Sequence, residues 1–211
     1  MTVQIQVDGK TLSVEDGRSV LQACLENDIY IPHLCFLETM TEAPASCRLC
    51  FVQIDGMANP VAACTVTVSD QMVVCTNTPE VRRLQRTGLR LLLSVHDVDC
   101  KNCPANKKCE LQRMARFLSV ALVSKDLERY LKEVDRVDCH PCFDYVPNRC
   151  VLCGRCIHGC RSTMGHGLLS YSGRGIGTSI NFFDDPALDK PMCDACLACI
   201  DICPVAALLR K

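Results

Sequence analysis

The chain is poor in aromatic residues and has no recognisable export or membrane signal. Its 211 residues include no tryptophan, and aromatic residues make up only 5%. The amino-terminal residues lack the basic and apolar regions of a secretory signal. The longest apolar stretch, around residues 89–95, is too short to span a bilayer. The sequence therefore predicts a cytoplasmic protein with no membrane span and with small, aliphatic cores.

Excess charge and nucleotide-binding motifs are also missing. The formal net charge is −1, so a nucleic-acid partner is not expected. The sequence contains neither a G-x-G-x-x-G motif between a strand and a helix nor a Walker A motif. The glycine-rich segment 173–177 is predicted to be a hairpin turn rather than a phosphate-binding loop. No catalytic residue is predicted, so any enzymatic role would be that of a non-catalytic subunit.

Cysteine, in contrast, is abundant, with 19 residues. In a reducing compartment such thiols are available to metals rather than to disulfides. Two runs near the carboxyl terminus, 150–160 and 193–203, share the spacing C-x2-C-x2-C-x3-C, and Pro204 follows the second run. This spacing is typical of bacterial ferredoxins, in which three thiolates hold one cluster and the fourth reaches the neighbouring cluster.

The two runs therefore predict two [4Fe–4S] clusters with exchanged fourth ligands. The predicted ligands of one cluster are Cys150, Cys153, Cys156 and Cys203, and those of the other are Cys160, Cys193, Cys196 and Cys199. Arg161, not proline, follows the first run, which leaves the ligands intact. Zinc is the alternative, but it usually pairs two separated C-x2-C knuckles and has no ready use for a third cysteine in the same tight loop.

Two further sets of metal-binding residues lie nearer the amino terminus. One consists of Cys35, Cys47, Cys50 and Cys64 and resembles a plant-type [2Fe–2S] spacing with a longer first spacer, with a four-cysteine zinc site as the alternative. The other consists of His96, Cys100, Cys103 and Cys109. From the residues alone, three thiolates and one imidazole suit either zinc or a [4Fe–4S] cluster.

The hydrophobic pattern predicts an α+β chain of three domains. Residues 1–78 are expected to be β-rich, with a hairpin over 3–14, a helix from Ser19 to Asn27, and strands at 51–54 and over 66–74. Residues 79–143 are expected to contain helices over about 81–95, 110–123 and 126–134. Residues 144–211 are expected to form one repeat unit with a hairpin over 168–183 between its halves.

The four cysteine motifs in this order resemble the amino-terminal iron–sulfur module of the complex I 75-kDa subunit. They resemble even more closely the iron–sulfur diaphorase subunit of NAD(P)-linked hydrogenases, including electron-bifurcating types, and the equivalent part of NAD-dependent formate dehydrogenases. The resemblance implies a β-grasp [2Fe–2S] domain, a small helical domain with His96 as a cluster ligand, and a 2[4Fe–4S] ferredoxin domain. It implies one [2Fe–2S] and three [4Fe–4S] clusters in total.

The resemblance also implies partners. These would be a flavoprotein that oxidises NAD(P)H and a hydrogenase or formate dehydrogenase subunit, with ferredoxin as a further partner to consider. The alternatives are a stand-alone multi-cluster ferredoxin, a redox-sensing module and a zinc-stapled scaffold. Four cysteines stay outside the pattern: Cys24 and Cys75 are expected to be core residues, while Cys139 and Cys142 form a C-x2-C pair without a partner pair.

Overall fold

A computed structural model describes residues 1–140, 142–165, 167–182 and 196–211, apart from the side chains of Cys139 and Met164. The chain divides into two compact units, Met1–Leu89 and Arg90–Lys211. Both contain helices and strands, which confirms the predicted α+β class. The finer division at residues 78 and 143 stays a prediction. Across the described residues, every helix is too short or too polar to cross a lipid bilayer.

The first unit is built on a five-stranded sheet in the order β2-β1-β5-β3-β4. Its strands are β1 (Thr2–Val7), β2 (Lys10–Glu15), β3 (Phe51–Ile54), β4 (Val61–Ala62) and β5 (Val73–Cys75). β1 and β5 are parallel and the other neighbours are antiparallel. The side chains of β1 alternate between the two faces of the sheet, because Ile5 and Val7 are buried in the core while their neighbours face water.

Helix α1 (Val20–Glu26) begins where the sequence predicts. Ser19 is the N-cap, and its side chain accepts a hydrogen bond from the backbone N–H of Gln22 while Gln22 accepts one from the backbone N–H of Ser19. This reciprocal pair is a capping box, which satisfies two of the backbone donors exposed at a helix start. The helix buries Leu21 and Cys24 in the core of the first unit, as expected for Cys24.

The second unit contains short elements arranged around its cysteines. After α2 (Pro79–Ser94) come α3 (Glu110–Leu118), α4 (Arg155–Met164) and the single-turn α5 (Ala198–Asp201). β6 (Val137–His140), β7 (Phe143–Tyr145) and β10 (Leu208–Arg210) form a sheet in the order β10-β7-β6. The predicted hairpin is present as β8 (Leu169–Ser172) and β9 (Ser179–Phe182); its predicted last residue, Phe183, lies outside the described residues.

Three predicted elements differ from the structure. α3 ends at Leu118 rather than near 123, because Ser119 takes a left-handed conformation (φ 53°) and closes the helix. Residues 126–134 contain no helix. There the backbone N–H of Tyr130 donates to the Ser94 carbonyl at 2.7 Å, and that of Lys132 donates to the Asn148 side chain at 2.7 Å, so contacts outside the segment replace helical hydrogen bonds.

The third difference lies before β5. Residues 66–68 were expected to extend the sheet, but Thr67 forms only an isolated bridge with Ser19. The Val66 carbonyl accepts from the N–H of Val20, and the N–H of Val68 donates to the Arg18 carbonyl. This segment therefore pairs with the entry to α1 instead of with a strand.

Candidate metal centres

The structure brings together the four cysteines of the first set. Cys35 follows α1 in the chain, Cys47 and Cys50 lie on the loop before β3, and Cys64 lies in a 3₁₀ turn over Ala63–Thr65. All four side chains are buried. The Sγ atoms of Cys35 and Cys47 are 3.5 Å apart, and the Cys50 thiol hydrogen-bonds to Cys64.

Hydrogen bonds join the four thiols in two pairs. The hydrogen bond between the two thiols lowers the pKa of Cys35 to about 5 and raises the pKa of Cys47. Hydrogen bonding likewise lowers the pKa of Cys64 and raises that of Cys50. In each pair, the hydrogen bond thus favours the thiolate form of one thiol. Binding of a metal cluster would require the other thiol to lose its proton as well, since thiolates are the form that binds metal.

Helix α2 positions the loop that carries Cys47 and Cys50. A Cβ atom added at Gly88 would lie 2.3 Å from the carbonyl oxygen of Arg48, so only glycine allows this approach. One turn earlier, the buried Gln85 side chain donates to the carbonyl of Phe51 at 2.9 Å. Sequence reasoning missed both residues, although a glycine and a glutamine on the core side of a helix are local signals of a close backbone contact.

The second set combines a buried histidine with three thiols. Cys100, Cys103 and Cys109 lie near enough to one another that the charges of Cys103 and Cys100 raise the pKa of Cys109, although burial is the larger cause. His96 is only 8% exposed. Burial lowers its pKa, so its ring is held neutral, which is the form that binds a metal.

A backbone contact sets the orientation of the His96 ring. Its Nδ1 atom lies 2.9 Å from the carbonyl oxygen of Arg149. Because a carbonyl only accepts, Nδ1 carries the proton and Nε2 is the nitrogen that can bind a metal. The chemistry of this set therefore fits a metal centre with one imidazole and three thiolate ligands.

The carboxyl-terminal repeat brings cysteines from both of its halves to one cavity. Cys150, Cys153, Cys156 and Cys203 line it together with apolar side chains such as Val151 and Ile180. This is the combination of three thiols from the first run and the fourth from the second that the spacing predicts. Cys193 lies outside the described residues; of its three predicted partners, Cys160 and Cys199 are buried and Cys196 is half-buried.

The two halves of the repeat share a local backbone geometry. The residue after the second cysteine of each run, Gly154 or Leu197, takes a left-handed conformation and is the N-cap of the helix that follows. α4 and α5 pack closely, since a Cβ added at Gly159 would be 3.3 Å from the side chain of Ile202. Equivalent turns therefore direct both runs into helices, in agreement with the predicted internal repeat.

Burial opposes ionisation of the three thiols that the first run contributes to this cavity. Burial raises the pKa of Cys153 to about 12, and it also raises those of Cys150 and Cys156, with the neighbouring thiols adding to the effect. The backbone N–H of Ala207 points at the Sγ atom of Cys203 at 3.2 Å. Four converging thiols with a backbone donor in an apolar pocket fit an iron–sulfur cluster, whose thiolate ligands accept such hydrogen bonds.

The remaining cysteines do not form a described site. Every cysteine whose side chain is described is a free thiol. Cys142 lies between β6 and β7, while the side chain of Cys139 is outside the described part. Within the described residues, no three His, Cys, Asp or Glu side chains are arranged to hold a single metal ion.

Comparison with known proteins agrees with these sites. Residues 1–79 match a family model described as a 2Fe-2S iron-sulfur cluster binding domain. Residues 85–121 match the NADH-ubiquinone oxidoreductase-G iron-sulfur binding region, and residues 140–209 match the ferredoxin-like domain of NADH-quinone oxidoreductase subunit 3. The fold and the sites thus define an iron–sulfur electron-transfer protein with a 2Fe-2S domain and 4Fe-4S regions.

Relatives are found over the whole chain. The gamma subunit of the NAD-reducing hydrogenase HoxS from Cupriavidus necator is 32% identical over 100% of this chain and 88% of its own length. Subunit HndD of the NADP-reducing hydrogenase from Solidesulfovibrio fructosivorans is 34% identical over 98% of this chain, which spans only 36% of that relative. A chain in a crystal structure of NAD+-reducing [NiFe]-hydrogenase in the H2-reduced state superposes with a TM-score of 0.85, at 28% identity, over 99% of this chain and 87% of that one.

The chain belongs to the family of iron–sulfur subunits that includes the HoxS gamma subunit, which confirms the resemblance to NAD(P)-linked hydrogenase subunits.

Proposed function

We propose that the chain relays electrons through one [2Fe–2S] and three [4Fe–4S] clusters within a cytoplasmic NAD(P)-linked oxidoreductase complex. The proposed [2Fe–2S] ligands are the four cysteines of the first unit. The second unit would hold one [4Fe–4S] cluster on His96, Cys100, Cys103 and Cys109 and two more on the exchanged sets of the repeat. The observation that carries the proposal is the meeting of Cys203 with the three cysteines of the other run in one cavity.

The chain's own residues hold the clusters and tune them. When bound, iron–sulfur clusters accept and release single electrons at potentials that depend on ligand type, hydrogen bonds and burial. The buried thiols and the neutral imidazole supply the ligands, and the apolar walls exclude water. The sequence contains four sets of candidate cluster ligands and lacks the G-x-G-x-x-G and Walker A motifs of nucleotide-binding sites. This fits a relay whose substrate chemistry takes place on partner subunits.

The proposed partners are a flavoprotein that oxidises or reduces NAD(P)H and a catalytic subunit of the hydrogenase or formate dehydrogenase type. The support is the family membership, because the relatives are named as subunits of NAD- or NADP-reducing hydrogenases. Isolation of the untagged protein from its native host tests this. A complex that contains flavin supports the proposal, whereas a protein found alone in all fractions points to a stand-alone ferredoxin or sensor.

Iron and acid-labile sulfide per chain test the cluster assignment. Anaerobically purified protein should contain about fourteen iron atoms, two from a [2Fe–2S] cluster and four from each of three [4Fe–4S] clusters. Cys100→Ala should lower the iron content by about four, since it removes one ligand of the His96 set. About ten iron atoms together with zinc would instead assign that set to a structural zinc ion.

A further inference from the structure

A buried tyrosine lies beside the cysteines of the carboxyl-terminal cavity. Tyr145 is on β7, is only 2% exposed, and lines the same cavity as Cys150, Cys153 and Cys156. Its strand pairs with β10 through Leu208, on the segment that follows Cys203. The tyrosine is therefore fixed by the sheet next to the predicted cluster ligands, although it belongs to neither cysteine run.

The hydrogen bonds of the hydroxyl group define what it does there. The backbone N–H of Ile180 donates to the Tyr145 oxygen at 3.3 Å. The oxygen is thus already an acceptor, and its own proton is available to an acceptor in the cavity. The sulfur of Cys150 lines the same cavity as Tyr145, and it is the acceptor that the hydroxyl proton reaches.

A donor at this position favours the reduced state of a cluster. Reduction adds negative charge, part of which is carried by the ligating sulfurs, so a hydrogen bond to a sulfur strengthens on reduction. Such hydrogen bonds are among the factors that set cluster potentials. In the apolar surroundings of the cavity, this side-chain donor acts at low local dielectric, where its effect is larger than in water.

We propose that the Tyr145 hydroxyl donates a hydrogen bond to the Cys150 ligand and raises the reduction potential of the cluster bound by Cys150, Cys153, Cys156 and Cys203. Tyr145 is a positioning and tuning residue, not a ligand. The proposal rests on the proposed function, because it needs a cluster on those four thiols.

The test is a redox titration of the full-length, anaerobically purified protein, followed by EPR. In Tyr145→Phe one [4Fe–4S] signal should shift to lower potential, with a loss on the order of tenfold in the ratio of reduced to oxidised cluster at a fixed potential, or ~59 mV for one electron. Iron content should stay at the wild-type value. Tyr130→Phe is the control, because its exposed hydroxyl donates to the Glu128 carboxylate at 2.6 Å, and it should leave the signal unchanged.

The outcomes separate this proposal from the cluster assignment. A wild-type protein without the predicted [4Fe–4S] signals refutes the proposed function. A full set of clusters with unchanged potentials in Tyr145→Phe, or an equal shift in Tyr130→Phe, refutes the role of Tyr145 and leaves the proposed function intact.

A second measurement applies if Tyr145→Phe does not assemble its clusters. Ring-fluorinated tyrosine is a stronger hydrogen-bond donor, so its incorporation in place of all four tyrosines should raise the same potential. The rise should persist in a fluorinated Tyr171→Phe protein. An unchanged potential in the fluorinated protein overturns the proposal.

Discussion

The Nδ1 atom of His96 lies 2.9 Å from the carbonyl oxygen of Arg149, the residue immediately before Cys150. One contact therefore orients the predicted imidazole ligand of one centre and joins it to the residue that precedes the next cysteine run. The neighbouring backbone strengthens this link, since the N–H of Asp97 donates to the Asn148 carbonyl at 2.6 Å. The two candidate centres of the second unit are thus held by a common stretch of backbone.

His96→Ala should remove about four iron atoms per chain, because the imidazole is the proposed fourth ligand beside Cys100, Cys103 and Cys109. Iron analysis and EPR of the purified variant measure the loss. His140→Ala is a suitable control, since His140 stacks on Phe143 at 4.3 Å and belongs to no predicted ligand set. Full iron content in His96→Ala would show that the histidine is a structural core residue.

The double variant Cys139→Ser/Cys142→Ser should keep the wild-type iron content. Each predicted cluster already has four ligands, and the His140 Nδ1 atom between the two cysteines accepts a hydrogen bond from the N–H of Cys142 at 3.1 Å. The measurement is iron and zinc per chain by elemental analysis. A drop in either metal would reveal a further metal site at this pair.

The meeting of Cys203 with three cysteines of the other run in one cavity could be predicted, because the cysteine spacing alone indicates it. The tight spacing of residues 150–160 requires a compact turn, and the exchange of Cys203 follows from the repeat. The capping residue Ser19 and the alternation of β1 are similarly local signals, and the structure contains both elements.

The residues that escaped prediction act through contacts distant in sequence. Tyr145 meets Ile180, which is 35 residues away, and Gly88 meets Arg48 across the first unit. The helix expected over residues 126–134 failed for the same reason, because Tyr130 and Lys132 donate to partners on other segments. The spacing of hydrophobic residues does not show whether backbone N–H groups will bond within a segment or to residues distant in sequence.

Cys24 tests the distinction between core and ligand cysteines. Burial raises the pKa of its thiol to about 12, so the folded state favours the protonated form. Cys24→Ala should cost roughly 1 kcal/mol of stability from lost apolar burial. Cys24→Ser should cost about 1–3 kcal/mol more, if the buried hydroxyl finds no partner. Both variants should retain full iron content.

The pH dependence of the Cys24 variants has a definite sign. A raised folded-state pKa means that the stability contributed by the thiol is complete below the unfolded value of about 8.5 and is lost as pH rises towards the folded value. The stability advantage of wild type over Cys24→Ala should therefore shrink between pH ~8.5 and ~10. Chemical unfolding at several pH values checks this, and a constant difference would show that Cys24 ionises alike in both states.

Gly88→Ala should weaken the centre of the first unit despite improving helix propensity. Alanine in place of glycine favours a helix by about 1 kcal/mol, but the new Cβ would lie 2.3 Å from the carbonyl oxygen of Arg48. Backbone atoms cannot move aside as a flexible side chain can, so overpacking should cost roughly 1–3 kcal/mol and outweigh the gain. Because Arg48 lies between Cys47 and Cys50, the displaced loop should also alter the [2Fe–2S] EPR signal.

Gly177→Ala, whose Cβ would meet nothing within 4 Å, should leave both stability and spectrum unchanged. A Gly88→Ala protein more stable than wild type, with an identical spectrum, would show that α2 does not press on the ligand loop.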